Sequence, residues 1–208
     1  MKLVIFDLDG TLLNTLSDLT LSINLMRQDF NLPKLKYKEV QKFLGFGNLY
    51  LVKNTITANI DFEKAYALFV HYYQIHQFDH TKLYPHVGLT IKKLKAKGYL
   101  ISINSNKNEV FMERIITKFF GDQVDFYLGA SLQYPPKPDP TAMNIILKHF
   151  NLSEQEAIYI GDTEVDYQSA LNAKVKCILV TYGFRPGSSL ESFPCLKIDK
   201  IKRLEKLL

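Results

Sequence analysis

Hydrophobic and polar positions follow two different periodicities along this chain. Between residues 15 and 80 the apolar positions recur at the spacing of an amphipathic helix. In the first such segment, steps of 3, 4, 3 and 4 residues separate Leu16, Leu19, Ile23, Met26 and Phe30. Similar segments follow at about 37–44, 48–58 and 62–78. The pattern therefore predicts a wholly helical stretch over residues 15–80.

From residue 81 onward, short apolar runs alternate with amphipathic segments. The runs predict strands at 99–104, 125–128, 157–161 and 176–180, and the intervening segments predict helices at 88–97, 109–119, 140–150 and 164–173. Strands that are apolar throughout and separated by helices favour a parallel sheet covered on both faces. The apolar run at residues 3–6 is expected to join this sheet. We predict an α/β fold, with a Rossmann-like parallel sheet core formed by residues 1–14 and 81–208 and a small α-helical cap domain inserted at 15–80.

The composition indicates the compartment in which the protein is expected. Of the 208 residues, 47% are hydrophobic and 23% are charged, as in ordinary soluble proteins. No apolar run approaches the roughly 20 residues that span a bilayer. The N-terminus carries no basic segment followed by an apolar signal core, and two cysteines do not make a disulfide framework. We expect a cytoplasmic protein without a membrane partner.

The net charge of +5 permits an anionic partner. The lysines are spread along the chain, and the densest group, at 197–206, has the spacing of a helix with a solvated basic face. No nucleic-acid-binding motif is present. We expect no nucleic-acid partner and favour a small anionic substrate.

Four polar motifs occur where predicted strands end. They are Asp7-Leu8-Asp9-Gly10-Thr11, then Ser105-Asn106, then Lys137 among prolines, then Gly161-Asp162 with Asp166 one helical turn on. Each has a structural explanation when taken singly: acids solubilise a sheet edge, polar residues cap helices, and a loop lysine is solvated. Parallel sheets, however, bind ligands beyond the carboxyl ends of their strands. Together the motifs indicate a site for a divalent cation and an oxyanion.

The four motifs in this order resemble the haloacid dehalogenase superfamily of aspartate-nucleophile phosphotransferases, over essentially the whole chain. The stretch 40–47 and the pair Tyr182-Gly183 are similar to the branch with a helical cap, which includes phosphoglycolate phosphatases. The chain departs from that branch at Asn14 and Thr15, where Asp and Ser are common. Both positions bear on the hinge into the cap more than on catalysis.

The resemblance implies a role for each motif residue. Asp7 would be the nucleophile that forms an aspartyl-phosphate, and Asp9 the general acid and base. Mg²⁺ would be held by an Asp7 carboxylate oxygen, the Asp9 backbone carbonyl and Asp162. Asp166 would either coordinate the ion, directly or through water, or only hold its loop. Ser105 and Lys137 would hold the phosphoryl group, assisted by Thr11 and Asn106, and the first strand would lie beside the one that ends at Asp162.

These roles predict a Mg²⁺-dependent phosphatase that acts on a small phosphomonoester, with phosphoglycolate as the leading candidate. A sugar phosphomutase on the same scaffold and a non-catalytic binding or regulatory protein are the alternatives. A dehalogenase is disfavoured, because those enzymes lack the second acid that Asp9 supplies. Arg27, Lys42 and Lys53 are cap bases that could meet a substrate carboxylate, and nothing in the sequence selects among them. A monomer and a homodimer are equally compatible with the sequence.

Overall fold

The computed structural model describes residues 1–208. The strands are β1 (Leu3–Phe6), β2 (Leu13–Asn14), β3 (Lys82–Leu83), β4 (Leu100–Asn108), β5 (Phe126–Ala130), β6 (Ala157–Gly161), β7 (Lys176–Val180) and β8 (Leu196–Ile198). The helices are α1 (Leu16–Asp29), α2 (Tyr37–Gln41), α3 (Asn48–Lys53), α4 (Phe62–His76), α5 (Val87–Ala96), α6 (Met112–Phe119), α7 (Thr141–His149), α8 (Glu164–Asn172) and α9 (Leu204–Leu207).

Six strands form one parallel sheet in the order β5-β4-β1-β6-β7-β8. The strand β1 is apolar throughout and buried on both faces, which suits its central position between β4 and β6. Phe6 lies level with Ile103 on one side and with Ile160 on the other. The residues that follow these three strands therefore leave the same edge of the sheet, and the predicted neighbourhood of β1 and β6 is confirmed.

Side chains of β1 alternate between two hydrophobic layers. Val4 and Phe6 point into a layer that includes residues of α5, α6 and α9. Leu3 and Ile5 point into the other layer, with residues of α7 and α8. Helices thus cover both faces of the sheet, and the predicted α/β class is confirmed.

Helices α1 to α4 fall between β2 and β3, a short antiparallel ribbon where the chain leaves the sheet and returns to it. We call residues 15–80 the cap segment. Leu19, Ile23 and Met26 of α1 are buried, as their spacing predicts. They belong to the same hydrophobic cluster as Phe6 of the sheet. The division of the chain into two domains at residues 14 and 80 stays a prediction.

The structure corrects four predicted elements. The helices α2 and α3 end at Gln41 and Lys53, earlier than their patterns indicate. The basic C-terminal segment contains the unpredicted strand β8, one 3-10 turn and a short α9, because a three-residue strand carries no detectable periodicity. The helix predicted at 140–150 begins one residue later, at Thr141, whose amide donates to the Asp139 carboxylate at 2.9 Å.

Candidate active site

The four predicted motifs converge at the carboxyl edge of the sheet. Carboxylate oxygens of Asp7, Asp162 and Asp166 lie within 4.8 Å of one another, and all three residues are buried. Asp7 directly follows β1, Asp162 directly follows β6, and Asp166 lies in the first turn of α8. The level ends of β1 and β6 bring these carboxylates together although more than 150 residues separate Asp7 from Asp162.

Lys137 supplies the positive charge of this cluster. Its ammonium group donates to Asp7 Oδ1 and to Asp166 Oδ1, each at 2.7 Å, and to the hydroxyl of Tyr159 at 2.9 Å. Burial alone lowers the pKa of Lys137, but the Coulombic attraction of Asp166 and Asp7 outweighs it, so that the pKa is raised. The lysine is therefore charged, and its acidic partners hold it in place.

The backbone of two loops lies very close to the side chain of Asp162. Its carboxylate accepts from the Thr11 hydroxyl at 3.0 Å and from the Phe184 amide at 2.6 Å. A Cβ atom added at Gly10 or at Gly183 would lie 2.4 Å from an atom of this side chain. Both glycines are therefore required by the close approach of two loops to Asp162, and Gly10 also has a left-handed φ of 97°.

Asp166 uses both of its oxygens within the protein. Oδ2 accepts from the Asp162 amide at 3.1 Å, and from the Thr163 amide and hydroxyl at 3.0 and 2.7 Å. Oδ1 accepts from Lys137 and from Tyr159. The Thr163 contacts form a capping box at the start of α8. Of the two roles left open for Asp166, the geometry favours holding the loop.

The charges of the cluster fit a divalent cation. Burial, more than any other cause, raises the pKa of Asp7 to about 7 and the pKa of Asp162 well above its usual value. Repulsion from Asp166 adds to both shifts, and Lys137 opposes the shift at Asp7. Burial also acts to raise the pKa of Asp166, but Lys137 and the hydrogen bonds lower it. Three buried carboxylates lie together and one ammonium group contacts only two of them, and hard oxygen ligands of this kind suit Mg²⁺.

Asp9 lies beside this cluster rather than within it. Its two carboxylate oxygens accept from the Lys107 ammonium at 3.2 and 3.0 Å, and Lys107 also donates to the hydroxyl of Tyr73 at 2.7 Å. Tyr73 belongs to α4 of the cap segment. Lys107 stands next to the predicted Ser105-Asn106 motif, but sequence reasoning gave it no role, because its partners are distant in the sequence.

Ser105 and Asn106 make different contacts in the site. Ser105 lines the cavity and accepts the Lys107 amide at 3.1 Å. The Asn106 side chain instead holds the backbone of Lys137, accepting its amide at 2.7 Å and donating to its carbonyl at 3.0 Å. Asn106 also donates to the Gly45 carbonyl of the cap segment at 3.0 Å. The structure thus gives Asn106 a positioning contact to Lys137.

A narrow cavity separates the cluster from the cap segment. The space open to the centres of water molecules is about 30 Å³, roughly enough for two or three waters. Asp7, Asp9 and Lys137 line it from the sheet side, and Leu44 and Asn48 line it from the cap side. None of the three candidate cap bases, Arg27, Lys42 and Lys53, is among the lining residues. Arg27 donates to the carbonyl oxygens of two cap residues, Pro33 and Thr55.

The loop after β7 connects the cluster to the cap segment. The resemblance at Tyr182-Gly183 did not indicate this connection. Arg185 pairs with Glu164 at 2.7 Å and donates to the Leu44 carbonyl at 2.9 Å and to the Gln41 carbonyl at 3.3 Å. Gln41 in turn donates to the carbonyl of Phe184 at 2.6 Å. Since the Phe184 amide contacts Asp162, one loop contacts both the acidic cluster and the cap segment.

Proteins of known sequence and structure are similar to this chain over most of its length. The family model described as haloacid dehalogenase-like hydrolase matches residues 4–180. Phosphoglycolate phosphatase 1 of Pseudomonas aeruginosa is 31% identical, over 98% of this chain and 78% of that protein. The phosphoglycolate phosphatase of Aliivibrio fischeri is 29% identical, over 100% of this chain and 96% of that protein.

A crystal structure from Haemophilus somnus 129pt, described as that of a predicted phosphoglycolate phosphatase, superposes with a TM-score of 0.92. It is 29% identical, over 100% of this chain and 97% of that one. None of the helices here combines the length and hydrophobicity needed to cross a membrane. The match over 4–180 and the 31% identity to a phosphoglycolate phosphatase confirm the resemblance and the enzyme class inferred from the motifs. The chain belongs to the haloacid dehalogenase-like hydrolase family, as an enzyme of the phosphoric monoester hydrolase class.

Proposed function

We propose that this protein hydrolyses a short phosphomonoester, with phosphoglycolate as the leading candidate, in a Mg²⁺-dependent reaction through an aspartyl-phosphate on Asp7. The observation that carries the proposal is the buried cluster of Asp7, Asp162 and Asp166 around Lys137, with Asp9 beside it. The names of the two curated relatives support the substrate.

In this mechanism Asp7, Asp162 and the backbone carbonyl of Asp9 would hold the metal ion. When bound, Mg²⁺ offsets the negative charge of the phosphoryl oxygens and of the carboxylates. Asp166 holds Lys137 and the start of α8, as its five hydrogen bonds indicate. Lys137 and Ser105, assisted by Thr11, bind the phosphoryl oxygens and align them with Asp7.

Two displacements at phosphorus complete the reaction. In the first, a carboxylate oxygen of Asp7 bonds to phosphorus, the ester P–O bond breaks, and Asp9 gives a proton to the departing alkoxide. In the second, Asp9 takes a proton from a water molecule whose oxygen bonds to phosphorus. The bond between phosphorus and Asp7 then breaks, and orthophosphate leaves.

The cavity favours this reaction over a phosphomutase. A sugar phosphate needs several polar partners in the cap, whereas the cap side of the cavity is formed mainly by Leu19, Leu44 and Leu51 and two glycines. Comparing phosphate release with the formation of an isomeric sugar phosphate separates the two activities. A binding or regulatory protein would show no Mg²⁺-dependent turnover on any phosphate ester.

Replacing the nucleophile tests the proposal. We expect the wild-type protein to release phosphate from phosphoglycolate only with Mg²⁺, and Asp7→Asn to abolish release, since an amide oxygen is a poor nucleophile. Asp122→Asn, on the exposed surface, is the matched control and should retain activity. Acid quenching of the wild-type enzyme during turnover, followed by mass spectrometry, should detect a phosphorylated protein. Wild-type turnover by Asp7→Asn would overturn the assignment.

A further inference from the structure

The cap side of the cavity carries a single polar side chain. Of the cap residues that line it, Leu19, Leu44, Gly45, Gly47 and Leu51 offer no side-chain hydrogen bond, and Asn48 is the exception. Any polar group on the substrate's leaving group that faces the cap therefore has one side-chain partner there. Asn48 is the first residue of α3 and lies close to the contacts that join the cap segment to β4.

The side chain of Asn48 is buried, and its amide nitrogen has no hydrogen-bond partner. The residue is 8% exposed, and its Nδ2 atom has no hydrogen-bond partner. Other asparagines of the cap segment are paired: Asn24 donates to the Leu35 carbonyl at 2.9 Å, and Asn54 donates to the Tyr50 carbonyl at 2.8 Å. A buried donor without an acceptor is unfavourable, so such groups in native proteins call for a ligand, a water or another function.

We propose that Asn48 is a specificity-determining residue that donates a hydrogen bond to an oxygen on the leaving group of the substrate. This inference rests on the proposed function and narrows its substrate class. One polar side chain on an otherwise apolar cap side favours a short leaving group with one oxygen acceptor, either a carboxylate or a hydroxyl. A plain alkyl phosphate would leave Asn48 unpaired and would bind less well, because sites built to donate to a substrate oxygen discriminate against analogues that lack it.

Binding of non-hydrolysable analogues tests this without turnover. Three phosphonates of equal chain length differ only at the far end: 3-phosphonopropionate has a carboxylate, 3-hydroxypropylphosphonate a hydroxyl, and propylphosphonate a methyl group. Calorimetry with Mg²⁺ should show the wild-type protein binding one of the first two at least roughly tenfold more tightly than propylphosphonate, the size expected of one hydrogen bond in a buried site. The preferred analogue identifies the acceptor.

Removing the amide should abolish this preference. Asn48→Leu, with Asn48→Ala as a second variant, should bind the three phosphonates with affinities within about threefold of one another. Asn54→Leu is the matched control, because Asn54 ends the same helix on the exposed surface and should keep the wild-type preference. Circular dichroism establishes that each variant is folded. A wild-type protein with no preference or no binding, or a preference that persists in the Asn48 variants, would overturn the proposal.

Hydrolysis of the corresponding esters separates this inference from the function on which it rests. Phosphoglycolate, 2-hydroxyethyl phosphate and ethyl phosphate should show the same order of kcat/KM in the wild-type enzyme, and Asn48→Leu should lose that order while still hydrolysing ethyl phosphate. Analogue binding without any Mg²⁺-dependent hydrolysis would defeat the proposed function and leave the role of Asn48 in binding. Hydrolysis with no discrimination among the esters would defeat the role of Asn48 alone.

Discussion

Lys137 is the residue on which the folded site depends electrostatically. Its ammonium group is the shared partner of Asp7 and Asp166, and its side chain is 2% exposed. A buried carboxylate that loses its only cation is left with the cost of desolvation and with repulsion from its neighbours. The lysine therefore has a structural function in addition to its proposed contact with the phosphoryl group.

Lys137→Met should destabilise the metal-free protein by about 3–5 kcal/mol at pH 8, the range for removing one partner of a buried ion pair. Urea unfolding measures the change. Lys93→Met is the matched control, because Lys93 pairs with Glu205 at the surface and is half exposed, so its loss should cost less than about 1 kcal/mol. The added change Asp166→Asn should recover part of the lost stability. Equal effects of the two lysine changes would contradict this account.

The position of a site residue was predictable where a motif marked it and hidden where it depends on partners distant in the sequence. The Asp7 and Asp162 carboxylates meet because parallel pairing of β1 and β6 brings their ends level, which follows from two apolar runs. By contrast, Lys107 contacts Asp9 across 98 residues and Tyr73 across 34, and no local pattern joins these positions. The unpaired amide of Asn48 is likewise a property of the folded cavity alone.

At the scale of elements, the sequence predicted uninterrupted apolar strands best. The bounds of β6 and β7 agree with the predicted 157–161 and 176–180, because each run is largely apolar and a polar residue, Asp162 or Thr181, directly follows it. Strand β4 was predicted to end at 104 but continues to Asn108. Its last residues are polar because they serve the site, and its pairing with β5 is irregular there. The polar side chains of the site therefore made the end of this strand unpredictable from the hydrophobic pattern.

The loop after β7 and the cap segment form the second element-scale feature. Arg185 joins Glu164 at the start of α8 to two backbone carbonyls of the cap loop at 41–47. The cavity beneath that loop has room for only two or three water molecules. A phosphate ester needs more space than this, so we expect the loop to move when the substrate binds, and Arg185 stabilises the loop in its present position, as contacts do in other enzyme lids.

Arg185→Met should increase backbone amide hydrogen exchange in residues 41–47 by roughly three- to tenfold, because the two carbonyls lose a donor that holds the loop closed. Mass spectrometry of peptic fragments measures the rate. Arg203→Met is the control, since Arg203 pairs with Asp199 at the exposed C-terminal end. Unchanged exchange in the cap loop, or equal acceleration by both variants, would show that Arg185 does not restrain it.

At the scale of the whole molecule, the cap segment and the sheet share one hydrophobic cluster, and the acidic cluster lies where they meet. The site therefore affects the stability of the entire fold. In the metal-free protein the raised pKa values of Asp7, about 7, and of Asp162 mean that the native state favours their protonated forms. For Asp7, the stability that this protonation contributes is complete below the unfolded pKa of about 4 and is lost as the pH rises through about 7.

Thermal unfolding measures two effects of this acidic cluster on Tm, that of pH and that of Mg²⁺. Without metal, Tm should fall between pH 5.5 and pH 8, because Asp7, which lies beside Asp162 and Asp166, becomes charged in this range. Mg²⁺ should raise Tm more at pH 8 than at pH 5.5, since protons compete with the ion for the same carboxylates. At a Mg²⁺ concentration of 100 times Kd, binding of the ion raises the free energy of unfolding by about 2.7 kcal/mol, or Tm by roughly 5–10 °C for a chain of this size.

Asp162→Asn should weaken both the pH dependence and the Mg²⁺ effect, whereas Asp122→Asn should change neither. A Mg²⁺ effect that is independent of pH, or that survives in Asp162→Asn, would place the ion elsewhere on the protein.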